Sequence, residues 1–129
     1  DRRRRGAMLA EAAIVFTLLL MVTLGAFQYG WLFLCAQRVT NATRQGARME
    51  AVLNPPPGVE LTMEGMVDDL TPSPDGSITT DPGTGLVTAT LSVPAEGNPK
   101  VQLLNIDFLP VPATLRAEVK MAKEGQFTP

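Results

Sequence analysis

Glu11 stands five residues after Gly6, at the mouth of a stretch in which residues 12–37 carry no charge. A lone carboxylate beside an apolar run is costly to desolvate, so Glu11 calls for a reason beyond solubility. The other groups that could do chemistry are few. The sequence has no histidine, which removes the commonest general base and metal ligand. Ser73, Ser77 and Ser92 have no base in any nucleophile motif. Asp68 and Asp69 read as the wet face at a helix end rather than a paired-carboxylate site. The loop bearing Asp75 and Asp81 lacks calcium-loop spacing. No glycine-rich phosphate loop occurs. Asn41-Ala42-Thr43 matches a glycosylation acceptor but falls within a helical pattern. The scattered methionines read as core filling. Neither catalysis nor a metal or other cofactor is expected.

The elements that would position Glu11 follow from charge and hydropathy. Arg2, Arg3, Arg4 and Arg5 precede the apolar run, and basic residues beside a membrane helix favour the cytoplasmic side. The apolar run is too long for a secretory signal, whose apolar region is about 7–15 residues. At about 1.5 Å per residue it outreaches the roughly 30 Å hydrocarbon core and spans with some tilt. Tyr29 and Trp31 suit the far interface, where aromatic rings collect. The topology expected is a cytoplasmic N-terminus and a larger part outside. From Arg38 onward the chain has seven basic and eleven acidic side chains, a net of −4. Nucleic-acid binding needs a clustered basic face, so it is not expected. One cysteine, Cys35, excludes an intrachain disulfide; it reads as a packing residue, with a crosslink to a neighbouring subunit as the alternative.

Beyond the apolar run the helical period continues. Val39, Ala42, Gly46, Met49 and Leu53 are spaced 3, 4, 3 and 4 apart, a stripe that packs on a partner surface. Asn54 and the Pro55-Pro56-Pro57-Gly58 run end it. One helix is therefore expected over residues 7–53. A second is expected over 59–70, where Val59, Met63, Met66, Val67 and Leu70 share a face. Short β structure is expected at 77–80, then alternating strands at 86–93 and 113–122. Residues 101–111 are apolar but irregular, expected as extended chain and a turn covering the sheet. The expected fold is α+β. A long N-terminal transmembrane helix continues into a small extracytoplasmic antiparallel sheet of three or four strands. The divisions are a basic leader at 1–6, the transmembrane helix at 7–37, its extramembrane continuation at 38–54, and an α+β domain at 55–129.

The sequence Arg5-Gly6-Ala7-Met8-Leu9-Ala10-Glu11 ahead of an apolar helix resembles a type IV prepilin processing site. The wider pattern resembles the TadE-like minor pseudopilins of Tad (Flp) pilus systems. It includes Ala42-Thr43-Arg44-Gln45-Gly46-Ala47-Arg48, close to the family's Ala-Arg-x-Gly-Ala-Arg stretch but with Thr43 inserted. The likeness is specific over residues 5–53 and loose over 54–129. It implies a pilin-like fold and cleavage between Gly6 and Ala7 by a prepilin peptidase. Glu11 then becomes the fifth mature residue and meets the new amino terminus on Ala7. The expected function is a single-pass pseudopilin in pilus assembly at a bacterial inner membrane, with its outer domain periplasmic. Its partners would be the lipid bilayer, other pilin-like subunits and the peptidase. Residues 2–6, still ahead of the junction, leave an alternative: an unprocessed TadE-like subunit that stabilises a larger inner-membrane complex of respiratory or photosynthetic type.

Overall fold

The computed structural model describes the backbone over residues 2–104 and 109–125, with side chains from Gly6 onward. The side chains of Arg2, Arg3, Arg4 and Arg5 lie outside the described residues, as do residues 105–108 of the irregular apolar stretch and the chain's last four residues.

Helix α1, Arg2–Ala51, is 50 residues long, about 75 Å at helical rise. It is one uninterrupted helix, so residues 2–6 and the Gly6–Ala7 bond are helical too. A bend after Ala51 leads into the prolines. Helix α2, Val59–Gly65, enters through Gly58. The φ of +78° at Gly58 is a left-handed conformation that a residue with a Cβ adopts only at a cost. The helix is shorter than the 59–70 expected. From Met66 on, i→i+3 bonds take over: Met66 N–H donates to Met63 O, Val67 N–H to Glu64 O and Leu70 N–H to Val67 O. These tighter turns still bury Met63, Val67 and Leu70, but Met66, expected on the same face, is turned out and exposed.

Strands β1 (Asp75–Thr80), β2 (Leu86–Pro94) and β3 (Thr114–Ala122) form one antiparallel sheet in the order β1-β2-β3. The fold is α+β, with a long apolar N-terminal helix and a three-stranded sheet. Its register sets apolar pairs opposite one another on one face: Val87 against Met121, Ala89 against Val119, Leu91 against Ala117, Val93 against Leu115. That face closes on the second half of α1 in a core that includes Cys35, Val39, Ala42, Ala47, Met63, Leu91 and Val101. Nine-residue strands are about 30 Å long, the length of some 20 helical residues. The distal end is tied where Glu124 N–H donates to Ala51 O at 2.8 Å.

Both carboxylates of α2 serve β1. Glu64 accepts from Gly76 N–H at 3.0 Å and Glu60 from Ile78 N–H at 2.8 Å. The edge of β1 is thereby capped rather than left open to another strand. These glutamates do not simply face water, as the helical pattern alone suggests. Asp69 is likewise engaged, pairing with Arg38 across an exposed contact of the kind that adds at most about 1 kcal/mol.

Candidate functional site

The expected stripe on α1 is one flank of a wider buried face. Val39, Ala42 and Gly46 are buried and Met49 is half-buried. Leu53 does not join them: α1 has ended at Ala51, and Leu53, 68% exposed, lies beside Gly125 instead. The other flank is Thr43, Ala47 and Ala51, all buried. A sheet with a second helix beside it needs an apolar arc about 100° wide or more, which a single file of residues does not supply. The Thr43 hydroxyl is satisfied within the helix, donating to Val39 O at 2.8 Å. Cys35 is buried in the same core, as a packing residue must be. Asn41 is exposed on the helix and off the buried face.

The N-terminal half of α1 is the opposite case. Ile14, Val15, Phe16, Leu18, Leu19 and Val22 are all exposed. The helix is long and apolar enough to cross a membrane, and its apolar window is wholly uncovered. The polar atoms within it are internally satisfied: Thr17 donates to Ala13 O and Thr23 to Leu19 O, each at 2.8 Å. Gly6, Ala7 and Glu11 are exposed at the start of this segment. Ala7 and Glu11 are four positions apart, so they share a helix face about 6 Å apart along the axis. An amine created at Ala7 would sit one turn from the Glu11 carboxylate, at a helix N-terminus that itself favours negative charge.

Where the bare and covered parts meet, three side chains within one turn of α1 hold the β2–β3 connection. The Trp31 Nε1–H donates to Lys100 O at 2.9 Å and the Tyr29 hydroxyl to Pro110 O at 3.0 Å. Leu104 N–H donates to Gln28 Oε1 at 2.9 Å, and Gln28 is only 1% exposed. Leu109 stands 3.9 Å from where a Cβ on Gly25 would be. The domain thus reaches down α1 to residue 25, well below the boundary at 37 expected for the end of the transmembrane helix. Tyr29 and Trp31, expected as interface aromatics, are anchors for the domain. Gln28 went unnoticed in the sequence, although it is the one amide between Glu11 and Gln37.

Comparison with known families bears on this half of the chain. Residues 6–48 match the TadE-like protein family. The match opens on Gly6 and closes on Arg48. It takes in the junction, Glu11, the bare apolar segment, the three loop-holding residues and Gly46. It stops short of α2 and the sheet. No curated protein and no solved structure matches the chain. The TadE-like segment therefore coincides with the helix that carries both the spanning run and the surface on which the domain is built.

Proposed function

We infer that the chain is a membrane-anchored component of pilus assembly, a TadE-like minor pseudopilin that acts by packing rather than by catalysis. The observation that carries this reading is the family match over residues 6–48, a range that begins at Gly6 and includes Ala7, Glu11 and the exposed apolar part of α1. In this reading Arg2–Arg5 hold the N-terminus on the cytoplasmic face of a bacterial inner membrane. The sheet domain stands on the periplasmic side. A prepilin peptidase cuts between Gly6 and Ala7, and the new amine on Ala7 compensates Glu11 within this chain or a neighbouring pilin-like subunit. The bare face of α1 meets lipid before assembly and other helices after it. The acidic outer domain takes no nucleic acid.

Intact-mass measurement tests it. Co-expressed with a Tad-system prepilin peptidase, the chain is expected to yield a product beginning at Ala7, and Gly6→Leu is expected to abolish that product. An unchanged mass beside a processed control pilin overturns the pseudopilin assignment.

A further inference from the structure

Between residues 25 and 34, α1 shows two different faces at one height. One is bare and apolar: Phe27 is 67% exposed, and Phe33 and Leu34 are exposed with it. The other is covered by residues 100–104 and by Leu109 and Pro110. A bilayer is flat on this scale, so both faces at one height meet the same medium. If Phe27 lies in lipid, so do the covering residues. Leu109, beside Gly25, lies about 9 Å below Trp31 along the helix axis.

Resting on the membrane-anchor part of the reading above but not on its pilus role, we propose that residues 101–104 with Leu109 and Pro110 are a second lipid-contacting element, immersed in the leaflet on the domain's side with Leu103 against acyl chains and Lys100 at the interface beside Trp31.

The polar groups support the placement independently. Irregular backbone is tolerated at lipid depth only where it is packed against protein, because no water is there to take its N–H and C=O groups. Three such groups are met by side chains of α1: Lys100 O by Trp31, Pro110 O by Tyr29 and Leu104 N–H by Gln28. Gln28 is shielded by the loop it serves through Oε1, while its Nε2 is buried without a partner. Leu103 is 51% exposed and borders an open apolar groove of about 420 Å³ shared with Phe27, Gly30 and Leu34. That groove continues the bare face of the span, and its lining suits hydrocarbon chains.

Length agrees. Trp31 and Glu11 are 20 residues apart, about 30 Å of helix, the thickness of a hydrocarbon core. With Trp31 at one interface, Glu11 falls at the other, where a carboxylate is tolerable.

The test uses the full chain in phosphatidylcholine vesicles carrying bromine on the acyl chains. A fluorescent label is placed by Leu103→Cys, Phe27→Cys or Thr80→Cys in a Cys35→Ala background. The Leu103 and Phe27 labels are expected to be quenched and blue-shifted, and the Thr80 label, at the distal end of β1, to remain unquenched. A quenched Phe27 label with an unquenched Leu103 label overturns the loop's immersion and leaves the anchor standing. If neither is quenched, the anchor fails as well. A Leu103 label shielded from both lipid bromine and aqueous iodide overturns the proposal in favour of protein contact. Trp31, the chain's one tryptophan, gives a second reading without any substitution. Its fluorescence is expected to be quenched more by bromine near the headgroup than at the chain end, and the reverse order overturns the height assigned.

Discussion

Met63 packs into the space left by the missing side chain of Gly46: a Cβ there would stand 2.7 Å from the Met63 sulfur and 3.1 Å from its Cγ. Met63 is fully buried, so the sulfur has nowhere to swing. Overpacking of this kind costs about 1–3 kcal/mol. It opposes the roughly 1 kcal/mol that alanine gains over glycine within a helix. Gly46→Ala is therefore expected to destabilise the domain in urea unfolding. In a Met63→Ala background the sulfur and Cγ contacts are gone and only a tight 3.3 Å approach to the Cβ of residue 63 remains, so the same substitution is expected to be much less destabilising. The same cost in both backgrounds would show that the contact does not decide the matter.

Gln28→Leu keeps the bulk of the side chain and removes the acceptor for Leu104 N–H. A buried donor left without a partner costs about 1–3 kcal/mol. The expected outcome is faster hydrogen exchange at Leu104 with little change at Leu91 in the sheet, measured by mass spectrometry in nanodiscs. Unaltered exchange at Leu104 would mean that the Gln28 contact does not hold the loop.

Replacing both Glu60 and Glu64 by alanine uncovers the N–H groups of Gly76 and Ile78. Each lost hydrogen bond is worth about 1 kcal/mol, and the freed edge is a template for strand pairing. Faster exchange at these two amides is expected, together with self-association that rises with protein concentration in sedimentation. The opposite edge, β3, presents Arg116, Glu118 and Lys120, all exposed, and such charges resist pairing.

Asp81 folds into a tight loop in which the Thr84 hydroxyl donates to Oδ2 at 2.7 Å and Gly83 N–H to Oδ1 at 2.9 Å. These bonds, that of Thr84 first, hold its carboxyl below the usual aspartate range. A depressed folded-state pKa favours the native state while the group is charged. Its contribution is complete above the unfolded value of about 3.9 and is lost as pH falls through the lower, folded one. NMR titration is expected to show Asp81 protonating below an ordinary aspartate, and Thr84→Val should move the midpoint up. A midpoint unaffected by Thr84→Val would refute the hydroxyl's role.

Periodicity carried α1 and strands β2 and β3 almost to their ends, because long amphipathic runs leave little freedom of phase. It underestimated the buried face of α1. Thr43, Ala47 and Ala51 are small or polar and signal burial weakly, yet small residues are what a sheet lying close to a helix requires. The length of α2 was missed because i→i+3 turns and an α-helix can bury the same Met63, Val67 and Leu70. Gly6, Ala7 and Glu11 were legible as a motif. The hold of Gln28, Tyr29 and Trp31 on the β2–β3 connection was not, since its partners are backbone atoms 69 to 81 positions away, and no residue type announces a carbonyl.

The matched lengths of sheet and helix have a mechanical consequence. From Trp31 to Ala51 the domain is fastened at both ends, by Lys100 O below and Glu124 N–H above. Its strands lie alongside the helix between those points. Traction along α1, as when a subunit is drawn out of a bilayer, loads these contacts in shear and all together rather than peeling them off in turn. The helix can therefore serve as a tow bar, with the folded domain travelling intact behind whatever pulls it.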